Sequence, residues 1–186
     1  MKKLLTLTIA LLLVLPAASF TQYVTGNIST AHALVLKKVG VYQKAILDLV
    51  NVERKKAGLK AVKYNTTLEK SALGHAKDMA AKKYFDHVSP TGITPDIRMK
   101  AFYKNKNWTS YEVGENIWMW EKADITDPKA LAKMVMYDPE TGWMQSPKHR
   151  ANILHPKFRE LGVGYFKNTA GDVYFVQNFG VIEVAR

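Results

Sequence analysis

The stretch WMQSPKHRANILHPKFRELGVGY, residues 143–165, contains in succession a helix start, a histidine and a strand. Ser146 followed by Pro147 predicts an N-cap and a first helical residue, because a serine oxygen accepts an unpaired amide N–H and proline has none. His149 then falls in the first helical turn, where unpaired amides and the helix dipole disfavour an imidazolium. A neutral imidazole of this kind is able to bind a metal or to accept a proton.

The end of the same stretch predicts a strand. Pro156 stops the helix, and over residues 161–167 large apolar side chains alternate with two glycines, the period-2 pattern of a half-buried strand. Residues 173–179 form a second strand, separated from the first by a short link that contains glycine and aspartate. The short link predicts an antiparallel hairpin.

Four helices are predicted upstream of this stretch. Apolar residues at helical spacing indicate the first, which Gly58 ends, and a capping box formed by Thr66 and Glu69 begins the second, which runs to about Lys83. The third and fourth begin at cap and proline pairs: Thr94 with Pro95, and Asp127 with Pro128. Helices over a small antiparallel sheet indicate an α+β fold, a three-layer α-β-α sandwich.

The N-terminus has the layout of a secretory signal. Lys2 and Lys3 precede an uncharged apolar run and then a proline and small residues. We therefore expect a signal peptide over residues 1–19, with cleavage possible as late as residue 33, a tether over 20–38 and one domain over 39–186. The apolar run is shorter than the ~20 residues that a spanning helix needs, so no transmembrane helix is expected in the mature, extracellular protein.

Charge and cysteine content limit the partners and the chemistry. Removing residues 1–33 takes two lysines and no acids from the formal charge of +11, which leaves +9. Because no basic run is interleaved with aromatic residues, an anionic wall polymer or a lipid headgroup is a better match for this charge than nucleic acid. The chain has no cysteine, which excludes disulfides, thiolate chemistry and cysteine-based zinc sites.

Two residues outside the opening stretch are candidates for a site. His87 lies where a helix passes into a loop, a position at which functional side chains concentrate. Glu115 is followed closely by a run of large apolar residues, which is unusual for a surface carboxylate, although an ion pair with Arg98 or Arg150 is an alternative explanation. A structural role is likewise the alternative for His149, and His75, on an apolar helix face, is predicted to be a core residue.

Four motifs together resemble the CAP superfamily, the cysteine-rich secretory, antigen 5 and pathogenesis-related 1 proteins, whose domain is also called SCP. The opening stretch follows the pattern W-x-x-S-P-x-H-R-x-N-I-L-x-P-x-F-x-x-x-G-V-G, and the other three are F-x-H-x-S-P-x-G around His87, G-E-N-I around Glu115 and Q-N-F at the closing strand. The absence of cysteine is similar to the bacterial branch. The resemblance implies the α-β-α sandwich and a shared cleft for His87, Glu115 and His149.

The chain departs from the superfamily pattern at one ligand. Animal and plant members have a second site glutamate three residues after a tryptophan, whereas Ser146 occupies that place here. Glu140, on the other side of Trp143, is a second candidate to replace it. Spacing does not decide between Ser146 and Glu140.

The resemblance implies a secreted binding module that takes a lipid, a cell-wall fragment or a divalent cation in the cleft. The alternative is a metal-assisted extracellular hydrolase or peptidase, in which His87, His149 and Glu115 bind zinc or another divalent cation and Glu115 is the candidate base. Two imidazoles and one carboxylate are ligands that zinc accepts with a position left for water. The sequence does not decide whether the protein is an enzyme, and a purely structural role would need none of the three residues.

Overall fold

A computed structural model describes residues 39–103 and 108–184 of the 186-residue chain. The predicted signal peptide and tether lie outside the described residues. The helices and strands of the described part are, in order, α1 Val41–Lys56, β1 Lys63–Tyr64, α2 Thr66–Lys82, α3 Pro95–Phe102, β2 Trp108–Trp120, α4 Pro128–Tyr137, α5 Pro147–Ile153, β3 Glu160–Lys167 and β4 Val173–Val184.

The four described strands form one sheet in the order β1-β3-β4-β2. Strands β3 and β4 form the predicted antiparallel hairpin, and β2 pairs antiparallel with β4 over most of its length. The sheet is not wholly antiparallel as expected, because β1 pairs parallel with β3 through Lys63 opposite Glu160 and Tyr64 opposite Leu161. Strand β1 lies between α1 and α2, far from β3 in the sequence. No hairpin therefore links β1 to β3, and the two strands are able to pair parallel.

Helices cover both faces of the sheet, which confirms the α+β fold with three layers. Helix α2 packs on one face against Ile117, Tyr174 and Val176 through its small side chains. The large apolar residues of α1 and α4 pack on the other face, with Trp143 fully buried among them. Residues of β4 alternate between the two faces, as period-2 geometry requires.

Two glycines set the distance between α2 and the sheet. A Cβ atom at Gly162 would overlap the backbone at Leu68 and Glu69, and one at Gly164 would overlap the backbone at Ala72. The alternation of glycines with large residues in β3 therefore has a packing cause: the large residues fill one face while the glycines admit a helix on the other.

Some of the predicted helix caps are present in the structure and others are not. Asp127 caps α4 by accepting a hydrogen bond from the Ala130 N–H at 2.7 Å, as predicted. The predicted capping box of Thr66 and Glu69 is wrong, because α2 is capped one residue earlier by Asn65, whose side chain accepts from the N–H groups of Thr67 and Leu68. Ser146 occupies the N-cap position of α5, but its side chain makes no cap hydrogen bond.

A buried arginine fixes the segment that carries His149. Arg54, fully buried near the end of α1, donates to the carbonyl groups of Ile153, His155 and Phe158 at 2.8 to 3.1 Å. Burial lowers the pKa of this guanidinium. The carbonyl groups at and after the end of α5 are thereby satisfied, and the helix is anchored to α1.

No helix of the described residues is both long enough and apolar enough to cross a membrane.

Candidate functional site

The centre of the site is the carboxylate of Glu115 on strand β2. Its side chain is 1% exposed and projects to the face of the sheet that α2 covers, next to Asn178 on β4. Arg98 on α3 donates through Nη2 to both carboxylate oxygens, at 3.1 Å to Oε1 and 2.9 Å to Oε2. Of the two arginines proposed as partners from the sequence, Arg98 is the one that the structure pairs with Glu115.

The amide of Asn178 completes the surroundings of this carboxylate. With its nitrogen directed at Glu115, Asn178 donates to Oε2 at 3.0 Å and its oxygen accepts from the Ala72 N–H at 3.2 Å. The opposite orientation would place oxygen against carboxylate and N–H against N–H. We assign the first orientation on these contacts, so that both Glu115 oxygens accept hydrogen bonds from protein groups.

His87 is the candidate histidine that contacts Glu115 directly. Its Nδ1 lies 3.0 Å from Glu115 Oε1, and because a carboxylate only accepts, Nδ1 carries the donated hydrogen. The side chain is 44% exposed. The ring therefore lies between the buried carboxylate and solvent. Its other nitrogen, Nε2, is not bound to Glu115.

Arg98 links this histidine to its loop. The same Nη2 group that binds Glu115 also donates to the main-chain carbonyl of His87 at 3.1 Å, and Nη1 donates to the carbonyl of Ile93 at 3.2 Å. Arg98 thus bonds to the carboxylate and to both ends of the loop segment between His87 and Ile93. Sequence reasoning named Arg98 only as a possible ion-pair partner.

His75 is buried in the core, as predicted, yet it lies beside the site. It is 1% exposed, and its Nε2 is 2.9 Å from the carbonyl oxygen of Asp86 and 3.9 Å from Glu115 Oε1. Burial lowers the pKa of His75, with the charge of Arg98 acting in the same direction and that of Glu115 opposing it. Its Nε2 faces the peptide that precedes His87.

His149 lies in the first turn of α5, as predicted. Burial lowers its pKa, and the nearby charge of His87 lowers it further, so the structure favours a neutral imidazole here. Its Nδ1 is shielded from solvent and has no hydrogen-bond partner among the described residues. The prediction of a neutral ring rested on the helix dipole, whereas in the structure burial is the main cause.

Two asparagine side chains attach α5 to the sheet, with Gln177 bound to one of them, and the sequence reasoning assigned none of the three to the site. Asn152 donates to the Glu115 carbonyl at 3.1 Å and to Asn116 Oδ1 at 2.8 Å. Asn116 donates to the His149 carbonyl at 3.1 Å and to Gln177 at 2.9 Å. Asn116 is the N of G-E-N-I, Asn152 belongs to the opening stretch, and Gln177 begins Q-N-F, so the motifs themselves were the available signal.

A glycine makes this attachment possible. A Cβ atom at Gly114 would lie 2.8 Å from Asn152 Oδ1 and 3.0 Å from the ring of Phe158. Asn152 therefore approaches the strand only where no side chain stands in its way. The glycine of G-E-N-I has this steric role next to Glu115.

The three predicted site residues are placed as follows. His87 and Glu115 are in direct contact, and His149 lies close enough to His87 for the two charges to interact. Among the described residues, no three histidine, aspartate or glutamate side chains are arranged to hold a metal ion. The ligand set of His87, Glu115 and His149 therefore stays a prediction.

Neither candidate for the missing second glutamate has a contact that assigns it to the site. Glu140 is exposed in the turn after α4, where its N–H donates to Asp138 at 3.1 Å. Ser146 is half-buried at the start of α5. Ser89, close to His87 in sequence, has its hydroxyl in a turn, where it accepts from the Ile93 N–H at 3.1 Å and contacts Thr91 at 3.0 Å.

The chain is similar to one known protein family and to two proteins of Bacillus subtilis. The model of the cysteine-rich secretory protein (CAP) family matches residues 47–179, which include all three candidate residues. Among curated proteins, YkwD of Bacillus subtilis, described as uncharacterized, is 39% identical over 143 residues, or 76% of this chain and 48% of YkwD. YlbC of the same organism, an uncharacterized membrane protein, is 31% identical over 74% of this chain and 34% of YlbC. The chain thus spans half or less of these relatives.

Solved structures agree on the fold. An extracellular protein containing an SCP domain from Bacillus anthracis has a TM-score of 0.57 and 29% identity, covering 74% of this chain and 39% of that one. An outer surface protein from Borrelia burgdorferi has a TM-score of 0.60 and 21% identity, covering 75% of this chain and 92% of that one. The second likeness, at this identity, concerns the fold alone.

Proposed function

Because this chain belongs to the cysteine-rich secretory protein (CAP) family, we propose that it is an extracellular binding module whose ligand site is the cleft bounded by His87 and His149. The ligand is a lipid, a cell-wall fragment or a divalent cation. The excess of basic residues, 27 against 16 acidic ones, supports an anionic component of the cell envelope as the surface on which it works.

The observation that carries this proposal is that protein groups already bind both carboxylate oxygens of Glu115. Both of its oxygens accept from Arg98, one also accepts from His87, and the side chain is 1% exposed. A carboxylate held in this way orients an imidazole well and is a poor free base or free metal ligand. Glu115 therefore serves to hold His87 in place for binding.

A divalent cation in this cleft would take its protein ligands from the two histidines. Glu115 occupies His87 Nδ1, so Nε2 is the nitrogen left for an ion, and His149 adds a ring that burial keeps neutral. A carboxylate behind a ligating histidine is the usual outer partner at zinc sites. Two imidazoles leave the remaining positions to water or to a ligand from the envelope.

The alternative proposal is a hydrolase in which His87, rather than Glu115, acts as the base. The favouring observation is the Nδ1 to Oε1 distance of 3.0 Å, which is the geometry of a carboxylate that orients a histidine for proton transfer. Such an enzyme still needs a nucleophile. A water molecule activated by His87, or by an ion on the two histidines, would supply it.

Zinc titration of the purified protein tests the site. We expect one zinc per chain, and a loss of affinity of about tenfold or more in His87→Ala and in His149→Ala. His155→Ala is the matched control, because the His155 side chain is 31% exposed and its ring contacts Glu112, at 3.2 Å, and Phe158 rather than Glu115 or His87. Equal affinity in all four proteins would remove the cation from the proposal.

Two further assays separate binding from hydrolysis. Co-sedimentation with anionic and neutral phospholipid vesicles, and with purified peptidoglycan, tests the envelope ligand in the same variants. Digestion of casein with and without a chelator tests the hydrolase. Turnover that the chelator and His87→Ala both abolish would replace the binding module by the enzyme.

A further inference from the structure

Three separate side chains hold the backbone and the ring of His87. Glu115 accepts from the ring at Nδ1, and Arg98 donates to the His87 carbonyl. The preceding carbonyl, that of Asp86, lies 2.9 Å from Nε2 of His75 on α2. Two consecutive peptide carbonyls in an exposed loop are therefore bound by two largely buried side chains, which come from two different helices.

The contact with Asp86 fixes the protonation of His75. A carbonyl oxygen only accepts, so Nε2 of His75 carries a hydrogen, and burial, which lowers the pKa of His75, favours the neutral ring with the lone pair on Nδ1. The hydroxyl of Tyr84 lies 3.4 Å from Nδ1 and donates its hydrogen to Asp78 at 2.7 Å. The single hydrogen of that hydroxyl goes to Asp78, so the hydrogen bond that holds the His75 ring is the one from Nε2 to the Asp86 carbonyl.

His75 has no direct route to a ligand or to the carboxylate. It is 1% exposed, and the 3.9 Å between Nε2 and Glu115 Oε1 is too long for a hydrogen bond. Its one strong polar contact is the carbonyl of Asp86, one peptide before His87. The hydrogen bond through which His75 acts on the cleft is therefore the one to the backbone of the loop.

We propose that His75 is a positioning residue of the cleft: by holding the Asp86 carbonyl, it fixes the peptide that carries His87 and so the direction in which His87 Nε2 faces the ligand. The apolar side chains on either side of this peptide anchor it little, since Phe85 and Val88 are 45% and 40% exposed. The inference deepens the proposed function and rests on it only for the binding measurement.

The first test uses the unmodified protein. Nitrogen NMR of the ring distinguishes a protonated from an unprotonated nitrogen, and a coupling across the hydrogen bond identifies its acceptor. We expect Nε2–H on His75 and a coupling to the Asp86 carbonyl. An Nε2 without a hydrogen, or no coupling to Asp86, would overturn the proposal without any substitution.

The second test uses variants. His75→Leu fills a similar volume with an apolar side chain and removes the N–H donor to the Asp86 carbonyl. His75→Gln keeps an N–H group at a comparable distance from the backbone. Met79→Ala is the control, because Met79 is a fully buried residue of the same helix that lies in the apolar cluster between α2 and the sheet. The variants are compared for unfolding midpoint, for the His87 ring resonances and for zinc affinity.

We expect His75→Leu to shift the His87 resonances and to lower zinc affinity about tenfold, with His75→Gln within about threefold of the parent. Met79→Ala should lower the midpoint and leave both other measurements unchanged. If His75→Leu resembles Met79→Ala, His75 is only a core residue. If the parent binds no zinc, the cation part of the proposed function fails, while the His87 resonances still decide the role of His75.

Discussion

Replacing Arg98 by methionine should be among the most destabilising changes to the site. The substitution leaves Glu115, whose side chain is 1% exposed, without its cationic partner, and removes the donor to two loop carbonyls. Removing one partner of a buried ion pair costs about 3–5 kcal/mol, because the remaining charge stays away from water. Folded proteins have stabilities of about 5–15 kcal/mol, so Arg98→Met should fold with a greatly reduced margin.

Removing the charge of Glu115 as well should recover part of this loss. Glu115→Gln keeps the shape of the side chain but replaces one acceptor oxygen by an NH2 group that faces donors, and Arg98 is 13% exposed, so the single change should cost about 1–3 kcal/mol. The double variant contains no uncompensated buried charge. Its cost should be smaller than the sum of the single costs by about 2–3 kcal/mol.

Urea unfolding of the parent, both single variants and the double variant measures this coupling energy. Lys44→Met is the control, because Lys44 pairs with Asp48 on the surface with both side chains more than half exposed, and its loss should cost no more than about 1 kcal/mol. A coupling energy near zero would show that the Arg98 and Glu115 charges are not desolvated together. The central premise of the site would then be wrong.

Three other outcomes follow from the packing and the titratable groups. Gly162→Ala should cost about 3 kcal/mol or more because its Cβ would overlap α2, whereas Gly74→Ala, with open space around it, should stabilise by up to about 1 kcal/mol in urea unfolding. Ser146→Ala should change stability by about 0.5 kcal/mol or less, whereas Asp127→Ala should cost about 1 kcal/mol, and equal costs would contradict the cap assignments. Burial lowers the pKa of His75, so the unfolded chain binds more protons below about pH 6.5. The free energy of unfolding should therefore fall from pH 7 to 5.5, by up to about 1.4 kcal/mol per unit, and less steeply in His75→Gln.

The sequence predicted those elements whose signals are local. Proline at the first helical position marked the starts of α3, α4 and α5, and the alternation in residues 161–167 marked the hairpin. Each of these signals acts through a backbone preference or a two-residue period, which requires no knowledge of the rest of the chain.

Strand β2 gave no such signal although it has 13 residues. Its buried part faces α2 on one side and the main core on the other, so Ile117 and Trp118 are adjacent in sequence and both buried. A strand covered on both faces shows no alternation, and a short apolar run does not distinguish strand from helix. The two-residue β1 is too short for any periodic pattern.

The sequence names candidate members of the site, which stay predictions, but not the contacts that the structure shows among them. The motifs identified His87, Glu115 and His149, and an arginine partner for Glu115 was one of two candidates. The sequence did not show that Arg98 occupies both carboxylate oxygens, because that depends on how α3 packs against β2. The difference matters chemically, because on these contacts our proposal gives Glu115 the role of orienting His87 rather than that of a base.

The segment around His149 also binds the free edge of the sheet that the described strands form. Strand β2 is an edge strand, and its outward carbonyl groups at Glu115 and Ile117 would otherwise be open to pairing with another chain. Asn152 donates to the first carbonyl and the indole of Trp143 donates to the second at 3.0 Å. The same segment therefore closes the edge of the sheet and sets His149 beside His87. Because one set of hydrogen bonds does both, a change to Asn152 or Trp143 disturbs the fold and the cleft together, whereas a change to the His149 ring disturbs the cleft alone.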